Sequence, residues 1–226
     1  AFIKNDYKVW NLANTSLNYT TEDLKKMLEE ENLSISSNGV LYSQEKPGLI
    51  ADILNEWFSQ RVEFRKLEKQ YGKEGDKQKH AFYAKRQLVQ KILLNSLYGV
   101  LGLPAFRFYD VDNAEAVTST GQTVIKNTAK MANIKYNKEL GTNEDYNIYI
   151  DTDSVFFSAL PLVKHRFPNW AEFDDATMAN KIDEIAGEVQ EFLNKFYDMM
   201  AQRFFNVKKH RFEIKKEYIS KAGIWI

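Results

Sequence analysis

Apolar residues along the chain fall into several helical rhythms separated by short strand-like stretches. From Leu49 to Tyr71 the positions Ile50, Ile53, Leu54, Trp57, Phe58, Phe64 and Leu67 recur at near-helical intervals, which predicts a long amphipathic helix. Pro47-Gly48 breaks the chain before it, and Gly72 to Gly75 with Asp76 reads as a loop after it. A second helix is predicted from about Lys77 to Tyr98, ending at Gly99, a residue type favoured just past a helix. Two long helices around a short polar turn make a hairpin. Upstream, residues 1 to about 47 read as irregular apart from a short helix near Thr21 to Glu31, capped by Thr20 or Thr21 before an acidic first turn.

Beyond Pro104, Phe106-Arg107-Phe108-Tyr109 reads as a strand, and Asp112 or Asn113 as the cap of a helix running to about Ala132. Tyr146 to Ile150 and Val155 to Ser158 flank an Asp-Thr-Asp-Ser turn and predict a β-hairpin. Pro161 to Asn169 is read as a loop. A helix from about Asp175 to Phe205 presents Ile182, Ile185, Val189, Phe192, Leu193 and Phe196 to a core, and Arg211 to Ile219 and Gly223 to Ile226 read as strands. The expected fold class is α+β, with packed helices and an antiparallel sheet.

Composition narrows the chemistry. The chain has 226 residues, 44% of them hydrophobic, enough for one good core or two small ones. No apolar run approaches the ~20 residues that span a bilayer and no signal segment is evident, so no membrane partner and a cytoplasmic location are expected, the host cytoplasm if the source is viral. Without cysteine, and with three scattered histidines, any metal has to sit on oxygen ligands. Lys+Arg and Asp+Glu both number 31, so net charge names no partner. Distribution is more informative. Arg61 to Lys91 holds ten basic residues against four acidic, Glu139 to Asp198 four against thirteen, and Arg203 to Lys221 seven against two. Basic segments flanking an acidic one suit a protein that holds phosphates while concentrating cations at one point, although long helices also carry such charges simply as solvated faces.

Two strings carry candidate chemistry. In Tyr149-Ile150-Asp151-Thr152-Asp153-Ser154, strand alternation would set Asp151 and Asp153 on one face with Thr152 turned away. Magnesium takes one or two carboxylates plus water and substrate phosphates, so one hairpin supplies half a site. A calcium loop does not fit, because Phe156 stands where its glycine belongs. The other string is Lys91 to Gly99. Residues four and seven apart return to within about 40° of one direction on a helix, so Lys91, Asn95 and Tyr98 share a face, with Gln87 one turn before. Arg61 and Arg65 are likewise four apart on the partner helix. Three cations on two packed helices could clamp a triphosphate, and Gly99 lets backbone approach a base beside the Tyr98 hydroxyl.

Lys91-x-x-x-Asn95-Ser-x-Tyr98-Gly99 followed by Tyr149-x-Asp151-Thr-Asp153-Ser resembles the two signature motifs of family B DNA polymerases, in the family's order. Phe106-Arg-Phe-Tyr-Asp110 with Thr118-Ser-Thr-x-Gly121-Gln122 resembles the palm segment of replicative phage-type enzymes, and Lys215-Lys-Glu217 with Lys221-Ala-Gly-Ile resembles a later palm strand. The resemblance implies fingers at residues 51–101 as a helical hairpin inserted in a palm at 102–226, with 1–50 a segment linked to the palm. It also implies Asp153 as catalytic metal ligand supported by Asp151 and Glu217. Arg61, Arg65 and Lys91 would meet the incoming deoxynucleoside triphosphate, Asn95 and Tyr98 would lie near the nascent base pair, and Tyr98 and Gly99 would contact primer-template DNA. Two Mg2+ ions would assist attack by the primer 3′ hydroxyl and in-line loss of pyrophosphate.

One departure matters. The family's other essential carboxylate sits in an upstream Asp-x-x-Ser-Leu-Tyr-Pro-Ser segment, and no proline here follows a tyrosine. One of the two ions would then be shared with an Asp that this chain lacks. Exonuclease and thumb segments are also missing, so the chain is expected to be part of a larger or split polymerase and inactive alone. The alternative expectation is a noncatalytic module that binds nucleotide or primer-template DNA.

Overall fold

The computed structural model describes residues 7–10 and 16–221, the strands before residue 20 through their backbone. Elements follow in the order β1 (Tyr7–Trp10), β2 (Ser16–Tyr19), α1 (Thr21–Glu30), β3 (Leu33–Ile35), β4 (Leu41–Ser43), α2 (Leu49–Glu74) and α3 (Lys77–Val100). The second half holds α4 (Val111–Leu140), β5 (Asn147–Asp151), β6 (Ser154–Phe157), α5 (Leu160–Arg166), a 3-10 turn at Trp170–Glu172 and α6 (Asp175–Phe205). The described strands form three two-stranded sheets, β1-β2, β3-β4 and β5-β6, of which β1-β2 and β5-β6 are antiparallel. The chain is helix-rich with small sheets, compatible with an α+β class, although among the described residues the strands form separate pairs rather than one larger antiparallel sheet. Contacts divide it into two compact units, residues 1–34 with 38–117 and residues 35–37 with 118–226.

In the first unit, the helix boundaries follow from capping. Thr20 accepts from the Asp23 amide at the start of α1, and Asp76 accepts from the Lys79 amide at the start of α3. Gly75 ends α2 at φ 77°, a left-handed conformation that costs glycine little. Helix α2 runs one turn past the expected Tyr71, and α3 passes through Gly99 to Val100, with Leu101 as its C-cap, so Gly99 lies in the last turn rather than beyond it. Neither α2 nor α3 buries a side chain fully, as expected of two helices that pack chiefly against each other.

Phe106 to Tyr109 is not a strand. Leu103, Phe106 and Tyr109 donate to carbonyls three residues back, and Asp110 donates to Leu101 at 2.8 Å, so the backbone is satisfied in successive turns that leave no ladder. Asp110, rather than Asp112 or Asn113, caps α4 by accepting from the Asn113 amide at 3.0 Å. The stretch before Pro47 is less irregular than its sequence suggests, since it contains β1 to β4.

The second unit holds the core. Ala132 and Tyr136 of α4, Tyr146, Leu162 and Val163 of α5, and Ile185, Val189 and Leu193 of α6 form one buried cluster. Phe196, Tyr197, Met200 and Phe205 form another. Thr128 and Tyr197, both buried, share a hydroxyl hydrogen bond of 2.7 Å, and burial pushes the Tyr197 phenol above its usual range. Helix α4 continues to Leu140 instead of stopping near Ala132, because Ala132 and Tyr136 remain on its buried face. The expected loop at 161–169 is largely α5, with Pro161 in its first turn, where a missing N–H is harmless.

Arg211 to Ile219 is not a strand: it pairs with no other strand among the described residues. Side chains of α6 serve instead. Asn194 accepts from the Ile214 amide at 2.9 Å and donates to the Ile214 carbonyl at 3.2 Å, and Gln190 accepts from the Lys216 amide at 2.8 Å. Gly223 to Ile226 lies outside the described residues.

Arg166, at the end of α5, donates to Glu139 of α4 and to both carboxylate oxygens of Glu188 of α6, at 2.9 and 2.7 Å. Hydrogen bonds from the guanidinium hold both carboxyls below the usual 4.5. Because the folded values are depressed, this contribution is present above about pH 4.5 and is lost as acid protonates the folded carboxylates. Arg166→Gln is expected to cost about 1 kcal/mol at neutral pH, a modest figure because the triad is partly solvated. Denaturant melts of both proteins should begin to approach one another near pH 4.5 and converge only once the pH has fallen through the depressed folded values; a gap that persists beyond that in acid would contradict the assignment.

Candidate functional site

The α2–α3 hairpin fixes an antiparallel register. Gln90 donates to Gln60 near its base, and His80 lies against Gly72 near its turn, where an added Cβ would stand 3.1 Å from the imidazole. Lys91 is therefore level with Arg61, and His80 with Gly72. Between these levels runs a groove of about 650 Å³ lined by Arg61, Arg65, Lys69, Lys73, His80 and Lys91, with Gln87 and Glu68 also in its wall. Among the described residues none of the five Lys and Arg side chains is held in an ion pair. Two other cations of the hairpin are engaged elsewhere: Lys79 pairs with Asp76 and lies over Tyr71, and Arg86 stacks on Phe64 and Phe82.

Arg61 has its Nε buried without a hydrogen-bond partner. Such an orphan donor costs about 1–3 kcal/mol, which rotation toward a bound oxyanion would relieve. The groove thus gathers Arg61, Arg65 and Lys91, as the helical spacing predicts. Asn95, Tyr98 and Gly99 lie outside its lining, exposed toward the C-terminal end of α3, and Gly99 has open space where a Cβ would be. Lys69, Lys73 and His80 were not anticipated. The four-residue recurrence of Arg61, Arg65, Lys69 and Lys73 would have indicated the two lysines, whereas His80 depends on the hairpin register.

The second candidate site is the β5–β6 turn. Asp151 is the last strand residue and pairs with Ser154, so Thr152 and Asp153 form a two-residue loop. Strand alternation therefore stops at Asp151 and does not assign a face to Asp153. Thr152 adopts φ 42°, a left-handed conformation that is strained for a β-branched residue by about 1–2 kcal/mol. Its hydroxyl donates to Asp151 Oδ1 at 2.9 Å, and the Ser154 hydroxyl donates to the Asp151 carbonyl.

Tyr149 and Phe156 pair on the same face as Asp151, and the Tyr218 ring lies 5.8 Å from Phe156. The segment carrying Glu217 therefore passes along the Asp151 side of the hairpin. Asp151, Asp153 and Glu217 are all exposed. Among the described residues, no group of three or more His, Cys, Asp or Glu side chains could hold a metal, so Glu217 does not complete a cluster with the two aspartates. Hard carboxylate oxygens at one turn fit Mg2+ held by one or two protein ligands and completed by phosphate and water; they do not form a closed protein cage.

The described residues thus present a basic groove on the helical hairpin of one unit and an acidic strand turn in the other. The family model for DNA polymerase family B matches residues 8–167, and the chain belongs to that family. It is 36% identical over 126 residues to the DNA-directed DNA polymerase of Escherichia phage RB69, covering 50% of this chain and 14% of that protein. Against the Enterobacteria phage T4 enzyme the identity is 52% over 71 residues, 31% of this chain and 8% of the relative. DNA polymerase 2 of Aeropyrum pernix is 30% identical over 157 residues, 70% of this chain and 18% of the relative. The aligned part thus spans less than a fifth of each of these proteins. No helix among the described residues is long and apolar enough to cross a membrane.

Proposed function

We propose that this chain supplies the fingers hairpin and part of the palm of a DNA-directed DNA polymerase that adds deoxynucleotides to a primer 3′ end. The observation that carries this reading is the convergence of Arg61, Arg65 and Lys91 in one groove, none of them in an ion pair among the described residues. In the proposed division, residues 51–101 are fingers, 102–226 palm and 1–50 a segment linked to the palm. Arg61 and Arg65 offer planar donors to phosphate oxygens and Lys91 a point charge, so a triphosphate is held and oriented by α2 and α3. Asn95 and Tyr98 face the nascent base pair, and Tyr98 and Gly99 meet the primer-template.

Asp151 and Asp153 are the proposed ligands of Mg2+, with Glu217 as an outer carboxylate. Bound there, magnesium would supply charge stabilisation to the transferring phosphoryl group. The Thr152 hydroxyl orients Asp151 by occupying one of its oxygens. Carboxylates from other polymerase segments complete the site, so exonuclease, upstream palm and thumb segments are the expected partners.

A second reading, a noncatalytic module that binds nucleotide or primer-template DNA, is favoured by the lack of a three-ligand acidic group among the described residues. Primer extension in Mg2+ separates the two. The purified chain is expected to bind dATP but not to extend a primer, and extension should appear when the remaining polymerase segments are added. Extension by the chain alone would overturn the shared metal site. Failure of the reconstituted mixture would favour the binding module, and absence of dATP binding would overturn the triphosphate groove.

A further inference from the structure

The groove is longer than a nucleoside triphosphate requires. Arg61 and Arg65 are separated by about 6 Å along the axis of α2, but Lys73 lies about 12 Å beyond Arg65. Three condensed phosphate groups held at Arg61, Arg65 and Lys91 do not reach the end of that span. The distal part is nevertheless built to the same plan. Lys69 and Lys73 continue the four-residue recurrence on α2, and His80 faces them from α3, seated against Gly72 where no side chain intervenes. Five Lys and Arg side chains line the whole groove against one carboxylate, Glu68. The lining contains no Phe, Tyr or Trp, and its one ring, the His80 imidazole, stands among lysines at the distal end, so the groove offers no run of stacking platforms and favours a bare phosphate chain over a nucleic-acid strand.

We infer that Lys69, Lys73 and His80 form a distal phosphate subsite, continuous with the proposed triphosphate site, that takes the units of a condensed phosphate chain beyond the third. The nucleoside-linked form of this ligand rests on the function proposed above; the inorganic form does not. The subsite gives the groove a preference for chain length, because each added phosphate meets a further unpaired cation rather than solvent.

The test is isothermal titration of the 226-residue chain, in chelator and at fixed salt, with linear inorganic tripolyphosphate, linear inorganic hexapolyphosphate, dATP and deoxyadenosine tetraphosphate. Hexapolyphosphate is expected to bind about tenfold more tightly than tripolyphosphate, and the tetraphosphate more tightly than dATP. Lys69→Ala with Lys73→Ala should remove most of that difference and leave tripolyphosphate affinity within about twofold. Alanine suits an exposed helix position, and circular dichroism checks that the hairpin is retained. Lys77→Ala with Lys85→Ala removes equal charge outside the groove and should leave the difference intact. Equal affinities in the wild type, an undiminished difference in the Lys69/Lys73 variant, or an equal loss in the Lys77/Lys85 control would each overturn the subsite. Length-dependent binding of the inorganic chains without binding of either nucleotide would instead leave the subsite standing and remove the nucleotide reading.

Discussion

Asp153→Ala is expected to lower primer extension at least about a thousandfold, or ~4 kcal/mol in the barrier, in a polymerase assembled from this chain and its complementary segments. Asp151 has one carboxylate oxygen engaged by Thr152, whereas Asp153 makes no hydrogen bond or ion pair among the described residues and stands exposed at the second position of the loop. A carboxylate kept in that state is available to a cation. Because Asp153 is exposed on a turn, its removal should change unfolding free energy by no more than about 0.5 kcal/mol. Binding of dATP measured in chelator should also be unchanged. Extension retained by the variant would move the metal site away from this turn, and a large loss of stability would show that the carboxylate was structural.

Removing Arg61 and Lys91 together, as Arg61→Ala with Lys91→Ala, is expected to weaken dATP binding by about a hundredfold or more. Hydrogen bonds to charged groups contribute about 1.5–3 kcal/mol each, and two are lost. The register brings the two residues level across the groove, so both should meet the same phosphate chain, and their single effects should not simply add. The salt dependence of binding should become shallower, since fewer cations meet phosphate oxygens. Lys79→Ala offers the contrast: Lys79 is already paired with Asp76 and lies over Tyr71, so its loss should leave dATP affinity within about twofold. Equal losses in Lys79→Ala and the double variant would reduce the groove to a diffuse field.

Much of this arrangement was legible because it repeats along the chain. The helical rhythm from Ile50 to Leu67, the turn at Gly75-Asp76 and the four-residue spacing of Arg61 and Arg65 are local patterns, and the structure reproduces them in α2, α3 and their shared groove. The β5–β6 hairpin was legible for the same reason, though its two-residue loop removes Asp153 from the strand whose alternation was invoked. Errors arose where backbone partners were not local strands. Phe106 to Tyr109 has strand composition but spends its amides on turns. His80 entered the groove through contact with Gly72 across the hairpin, which no spacing along α3 encodes.

Asn194 and Gln190 give the chain after residue 211 an attachment unlike that of a sheet. A ladder locks every second residue along its length, whereas here two amide side chains of α6 hold the backbone at Ile214 and Lys216. Glu217 and Tyr218 thus lie between side-chain anchors beside the acidic hairpin: Lys216 pairs with Asp183, Lys221 with Asp175, and the Tyr218 ring lies against Phe156. The Glu217 carboxylate is therefore carried beside the acidic hairpin by side-chain contacts, and its placement does not depend on the β5–β6 ladder.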